Sequence, residues 1–249
     1  TLSSWKNQPH VDRLIWLIKD VLGLKKNAPI LDIGCNDGSF LQTLRESGYE
    51  NIVGIEPTAD AARVATDRGF DIEKGFFDQK MASEILEKRG RPKLLVSRQV
   101  LEHISDLPEF MKSLNKLIKK GTPLLLEIPD SKTNIQSFDF AFWEEHVNYF
   151  TENTVRNLLA AHGFEIAFFE QIVFSGNTLV VLAFKIDEST GSWHQLNRGF
   201  VEPEIERAKR LGGTWPIFRK SYRDYMEEVL ERSGPIGIYG CGARSSTIA

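Results

Sequence analysis

The sequence has few cysteines, no long apolar stretch and no excess of charge of one sign. Its 249 residues include two cysteines, Cys35 and Cys241, too few and too far apart for a four-ligand zinc site or a disulfide framework. No apolar stretch approaches the ~20 residues of a membrane-spanning helix, and a net charge of −3 leaves no basic face for nucleic acid. We therefore expect a cytoplasmic protein that binds no membrane, no nucleic acid and no metal ion.

Short apolar runs alternate with amphipathic segments along most of the chain. Five runs predict strands that helical segments separate, at residues 28–34, 51–57, 70–77, 92–100 and 122–129. Two further runs, at 165–174 and 178–186, follow each other without an intervening helix and predict an antiparallel hairpin. This pattern predicts an α/β fold with a doubly wound, seven-stranded and mostly parallel sheet. Ligands of such sheets bind beyond the carboxyl ends of the strands.

The turn LDIGCNDGSF follows the first predicted strand. Gly34 and Gly38 would let the backbone approach a ligand closely, and a helix begins directly after them. Asn36 stands where the dinucleotide fingerprint has its second glycine, and the acids Asp32 and Asp37 would repel a diphosphate. The turn therefore favours a ligand with a positively charged end. The alternative is that both acids only cap the helix.

Glu56 closes the second predicted strand, eighteen positions after Gly38. A carboxylate at this place can accept hydrogen bonds from both hydroxyls of a ribose. A ribose and a cationic group together describe S-adenosylmethionine, which carries an ammonium and a sulfonium but no phosphate. The alternatives are a solvated turn residue at Glu56, or a nicotinamide-dependent oxidoreductase, which the broken glycine fingerprint disfavours.

The segments ILDIGCNDGSFL and VGIEP resemble the first two motifs of class I S-adenosylmethionine-dependent methyltransferases. The resemblance covers roughly residues 10 to 185 and implies S-adenosylmethionine as the cofactor. It implies that Phe76, Phe77 and Asp78 surround the adenine, although either phenylalanine could instead belong to the core. The cofactor-binding residues predicted in this way are Asp32, Gly34, Asn36, Gly38, Glu56, Pro57, Phe76, Phe77, Asp78 and Gln99.

A narrower resemblance comes from GFFD, QVLEHISDL, EIPD, FWEEHVNYFT and IYGCGARSSTIA. Together they look like the sugar C-methyltransferases of deoxysugar biosynthesis and their relatives, which have an N-terminal zinc module, a methyltransferase domain and a Rossmann-like domain. The resemblance implies a sugar or nucleotide-linked sugar as substrate. It divides the chain into a methyltransferase domain at 1–187, a helical connector at 188–234 and the start of a truncated Rossmann-like domain at 235–249.

The same resemblance implies three catalytic residues, namely His146, Glu145 and His103. Histidine suits a general base because its pKa lies near neutrality, and a neighbouring carboxylate can orient it. Both histidines could also be structural. The chain has Trp143 where the family has a tyrosine, and Ser-Gly-Asn-Thr at 175–178 where it has a glycine-rich turn with an arginine. These differences leave C- and O-methylation open, and a non-catalytic cofactor-binding domain remains an alternative.

Overall fold

A seven-stranded sheet is built from the apolar runs of the sequence. The computed structural model describes residues 10–140, 145–174, 176–186 and 197–237. Trp143, Ser175, residues 188–196 and residues 238–249 lie outside them. The strands are β1 (Ile30–Ile33), β2 (Ile52–Glu56), β3 (Asp71–Lys74), β4 (Leu94–Arg98), β5 (Pro123–Pro129), β6 (Phe164–Val173) and β7 (Asn177–Lys185).

The strand order is β3-β2-β1-β4-β5-β7-β6. Strands β1 to β5 are parallel, and β7 runs antiparallel to both β5 and β6. The predicted fold class, including the antiparallel C-terminal hairpin, is confirmed. The hairpin strands do not simply extend the sheet in chain order, because β7 lies between β5 and β6.

Helices connect the parallel strands and cover both faces of the sheet. They are α1 (Val11–Trp16), α2 (Ser39–Glu46), α3 (Ala59–Asp67), α4 (Gln79–Arg89), α5 (Leu107–Leu117), α6 (Lys132–Gln136), α7 (Glu152–Ala161) and α8 (Arg198–Ser233). A π-helical turn, Leu17–Val21, continues α1, and a 3-10 turn, Leu101–His103, follows β4. The short α6 was not predicted. Helix α8 falls within the predicted connector, whose boundaries remain a prediction.

Apolar side chains pack on both faces of the sheet. On one face α4, α5 and α7 contribute buried residues such as Ile85, Phe110 and Leu159. On the other face α1 and α2 contribute Leu14 and Leu44. The central strands are therefore buried on both sides, which explains why their sequences are apolar without alternation. None of the helices within the described ranges combines the length and apolarity needed to cross a membrane.

The order of the strands across the sheet reverses at β1, which pairs with β2 on one side and β4 on the other. The turn after β1 is held to β2 because the amides of Gly34 and Cys35 both donate to the carbonyl oxygen of Ile55, at 2.8 and 3.0 Å. A Cβ on Gly54 would lie 2.4 Å from the sulfur of Cys35, so only glycine leaves room for the turn to pack here. This places the turn LDIGCNDGSF at the crevice where doubly wound sheets bind ligands.

Candidate active site

A cavity of about 1040 Å³ opens beyond the carboxyl ends of the parallel strands. This volume lies at the upper end of the ~300–1,000 Å³ that small-molecule sites usually enclose. It therefore has room for a cofactor and an acceptor together. Ten of the thirteen predicted site residues line it, namely Gly34, Asn36, Glu56, Pro57, Phe76, Phe77, Gln99, His103, Glu145 and His146.

Three predicted cofactor-binding residues are not part of the cavity wall. Asp78 is the N-cap of α4, where its side chain accepts a hydrogen bond from the Met81 amide at 2.7 Å. Gly38 is the N-cap of α2 with a φ of 78°, and a Cβ there would lie 3.0 Å from the Phe70 ring. Asp32 is buried, with 2% of its surface exposed. Any role of these three residues in cofactor binding therefore remains a proposal.

The carboxylate of Glu56 is held in a fixed orientation at the end of β2. One oxygen accepts a hydrogen bond from the Asn36 amide at 2.9 Å, and the other accepts one from the Thr58 amide at 2.8 Å. Only 6% of the residue is exposed, so Glu56 is not the solvated turn residue considered as an alternative. Each oxygen keeps a further lone pair. The cavity thus offers a fixed, two-oxygen acceptor that fits the hydroxyl pair of a ribose.

The two phenylalanines predicted near the adenine differ in their surroundings. Phe77 packs edge-on against the buried ring of Phe110, with centroids 5.4 Å apart, and belongs partly to the core. Phe76 is 79% exposed although it borders the cavity. A large apolar ring left open beside a cavity is available to stack on a flat ligand. Phe77 therefore fits the interpretation as a core residue, and Phe76 fits the interpretation as an adenine contact.

Two residues that are not glycine have a left-handed backbone at the cavity. Asn36 and Gln99 both have a φ of 52°. Such a conformation costs free energy and is often found at ligand-binding sites. The backbone of Gln99 is held by a hydrogen bond from its amide to the carbonyl oxygen of Glu127, at 2.8 Å. Both residues are thus held in place on the cavity wall.

A buried charged cluster lies beside the cavity and was missed from the sequence. Arg98 and His10 each approach the same carboxylate oxygen of Glu127, at 3.2 Å. Burial would raise the pKa of Glu127, but Arg98 and His10 outweigh it and hold the pKa below its ordinary value. The sequence signal for this cluster is a charged residue, Arg98 or Glu127, near the carboxyl end of each of two mainly apolar predicted strands, and the structure places these two residues in register.

For the pKa of Asp32, by contrast, burial has a larger effect than the neighbouring charges. Burial raises its pKa to about 7, and the attraction of Arg98 only partly opposes this shift. One of its oxygens is buried and has no hydrogen-bond partner among the described residues. A positively charged group near Asp32 would stabilise the ionised carboxylate and oppose the effect of burial.

His103 and His146 meet on the wall of the same cavity as Glu56. Their rings are nearly perpendicular, with centroids 4.8 Å apart. The Nδ1 atom of His103 lies 3.0 Å from the carbonyl oxygen of Glu145, so Glu145 contacts an imidazole through its backbone and not through the predicted carboxylate. The amides of Val147 and Asn148 donate to the carbonyl oxygen of Glu102, at 2.8 and 3.0 Å, and tie this loop to the end of β4.

Glu102 is a member of this group that sequence reasoning did not select. Its Oε1 atom lies 3.9 Å from Nε2 of His103. Burial raises its pKa to about 8. The residue lines the cavity, although only 1% of it is exposed. The group was missed because Glu102 and His146 are brought together only by folding.

The chain belongs to the methyltransferase-domain family, whose model matches residues 8–167. Together with the seven-stranded sheet, this match makes it a class I S-adenosylmethionine-dependent methyltransferase. The predicted class I methyltransferase family and the predicted cofactor, S-adenosylmethionine, are confirmed.

The chain is also similar to particular methyltransferases. It is 26% identical over 175 residues to the C-methyltransferase NovU of Streptomyces niveus, covering 70% of this chain and 41% of that protein. It is 29% identical over 119 residues to a ubiquinone biosynthesis O-methyltransferase of Pelagibacter ubique, covering 47% of each. The matches thus span less than half the length of either relative.

Solved structures share the fold at low sequence identity. A methyltransferase from Anabaena variabilis superposes with a TM-score of 0.57 at 15% identity, covering 73% of this chain and 86% of that one. A magnesium protoporphyrin IX methyltransferase from Synechocystis with bound SAH superposes with a TM-score of 0.53 at 18% identity, covering 70% and 81%. At these identities the likeness establishes the fold alone.

Proposed function

We propose that this chain transfers a methyl group from S-adenosylmethionine to a carbon or oxygen atom of a sugar or a nucleotide-linked sugar. The observation that carries the proposal is one cavity whose wall includes both the fixed Glu56 carboxylate and the His103–His146 pair. The bound cofactor would supply an electrophilic methyl group. The similarity to the C-methyltransferase NovU supports an acceptor of this class.

The cavity favours an acceptor with several hydroxyl groups. Its wall carries hydroxyl, amide and carboxylate side chains, namely Asp130, Ser131, Thr133, Asn134, Asp139 and Asn177. These groups are oriented by their neighbours, since the Asn177 amide donates to the Thr133 hydroxyl at 2.8 Å. Such a surface hydrogen-bonds a sugar ring better than the flat apolar ring of a quinone or a porphyrin.

The protein's part in the transfer is to bring the acceptor close to the methyl group and to remove a proton from it. His146 is the proposed general base, because it lies on the loop that follows β5 and faces the cavity. His103, at the end of β4, is the alternative base. The proposed role of Glu145 is to hold His103 through its backbone carbonyl oxygen.

We expect Glu56→Ala to weaken binding of S-adenosylmethionine and of its product S-adenosylhomocysteine. Loss of hydrogen bonds to a charged group costs about 1–3 kcal/mol, or roughly 5- to 150-fold in affinity. Calorimetric titration measures both ligands, and Glu165→Ala on β6 is a matched control that should bind like the wild type. Tighter binding of NAD than of either ligand by the wild type would contradict the proposal.

Sugar nucleotides and phenolic acceptors should then be incubated with the chain and the cofactor. We expect a mass gain of one methylene on a sugar nucleotide, with formation of S-adenosylhomocysteine in equal amount. Methylation of phenolic acceptors alone would overturn the proposed acceptor class. Cofactor binding without turnover of any acceptor would instead support a non-catalytic cofactor-binding domain.

A further inference from the structure

We propose that Glu102, His103 and His146 bind a divalent transition-metal ion inside the cavity. Each residue offers one ligand atom, and the three atoms all lie within 4.8 Å of one another. Two imidazoles and one carboxylate form the donor set of many zinc and non-haem iron sites, in which further positions stay open for water or substrate. This proposal departs from the expectation of no metal ion made from the sequence.

The tautomer of His103 suits this role. Its Nδ1 atom lies 3.0 Å from the carbonyl oxygen of Glu145, which can only accept a hydrogen bond, so Nδ1 carries the hydrogen. The lone pair of the neutral ring is then on Nε2, which faces Glu102. Histidines that bind metals usually have such a contact on the second nitrogen, because it fixes the ring and its tautomer.

The separation between His103 and Glu102 also fits a shared ion. Nε2 of His103 and Oε1 of Glu102 are 3.9 Å apart, too far for a hydrogen bond. Two ligands that each lie ~2.0–2.2 Å from a metal ion are roughly this far apart across it. A cation between the two atoms would therefore contact both after small side-chain adjustments.

The buried carboxylate of Glu102 also favours a bound cation. Its Oε2 atom is buried and makes no hydrogen bond with any residue of the described ranges. A buried carboxylate is costly unless it is paired or coordinates a metal. The amides of Val147 and Asn148 donate to the carbonyl oxygen of the same residue, so the loop that carries His146 is already held beside Glu102.

The charge of the cavity wall favours a cation as well. Among the described residues that line it, the single guanidinium belongs to Arg98, which is paired with Glu127. Seven acidic residues line it, namely Glu56, Glu102, Asp106, Glu109, Asp130, Asp139 and Glu145. A histidine that binds the ion has no lone pair left to accept a proton, so in the proposed function the ion would replace the histidine base by lowering the pKa of an acceptor hydroxyl. Only this catalytic consequence rests on the proposed function.

Cobalt(II) is a suitable probe because its visible absorption reports coordination by protein ligands. The untagged chain, freed of metal by a chelator, is titrated with Co²⁺ in the absence of cofactor and acceptor, and Zn²⁺ is then added as a competitor. We expect saturable binding of a single ion per chain that Zn²⁺ displaces. We expect Glu102→Gln, His103→Ala and His146→Ala each to weaken binding about tenfold or more.

Glu109→Gln is the matched control, because it removes another carboxylate of the same cavity wall, and it should bind Co²⁺ like the wild type. His103 is exposed, so His103→Ala tests the site even if Glu102→Gln fails to fold, which circular dichroism will show. Non-saturable binding, or equal affinity in the wild type and His103→Ala, would overturn the metal site.

The outcomes for the two proposals are separable. Cobalt binding that depends on the three residues, with no methylation of any acceptor, would refute the proposed function and leave the metal site standing. Methylation of a sugar nucleotide by a chain that shows no specific Co²⁺ binding would refute the metal site alone.

Discussion

His146→Ala should lower kcat by about 10²- to 10⁴-fold and leave the affinity for S-adenosylmethionine nearly unchanged. The reason is its place in the cavity. His146 lies beside His103 on the cavity wall, where the acceptor and not the ribose is proposed to bind. Steady-state kinetics with the acceptor found in the screen gives kcat, and calorimetry gives the cofactor affinity.

Val147→Ala is the matched control for this experiment. Val147 is the next residue on the same loop, and its side chain is exposed. The variant therefore tests whether shortening any side chain of this loop lowers kcat. Full activity of His146→Ala together with an inactive His103→Ala would assign the base to His103. If both variants keep full activity, neither histidine is the base, and approximation of the substrates alone would have to provide the rate.

Asp32→Asn should change how the stability of the protein depends on pH. In the folded protein the pKa of Asp32 is about 7, whereas in the unfolded chain it should be near the ordinary 3.8. Between these values the unfolded chain has released a proton that the folded chain keeps, so the free energy of unfolding falls as pH rises. The wild type should therefore lose roughly 3–4 kcal/mol relative to Asp32→Asn between about pH 4 and pH 7.

Urea denaturation of both proteins at several pH values measures this difference. Glu102, whose pKa is also raised, acts in the same direction but is present in both proteins, so the comparison isolates Asp32. Glu165→Gln is a control for loss of an exposed carboxylate on β6 and should follow the wild type. Parallel stability curves for the wild type and Asp32→Asn would show that Asp32 is ionised in the folded protein.

The sheet could be predicted because strands that are buried on both faces are apolar without alternation. Runs such as Leu94–Val96 and Leu124–Leu126 are apolar at every position, and helices with one apolar face separate them. The position of β7 could not be predicted in the same way. Whether it lies outside β6 or between β5 and β6 depends on long-range pairing that local periodicity does not record.

The site was predictable where its residues form a contiguous motif at the end of one strand. Gly34 and Asn36 in the motif after β1, and Glu56 in the motif at the end of β2, were selected in this way and line the cavity. Glu102 was missed, although it is next to His103, because its importance comes from burial and from the loop that carries His146. Neither feature is visible before the chain is folded.

The place of β7 has a consequence for the order in which the chain folds. Strand β7 (Asn177–Lys185) is the last strand within the described residues, yet it supplies the partner for one edge of β5 and for β6. During synthesis, one edge of β5 and the facing edge of β6 therefore have no partner strand until about residue 185 has left the ribosome. Exposed strand edges of this kind favour aggregation, so a chain cut short in β7 should be prone to associate with its copies.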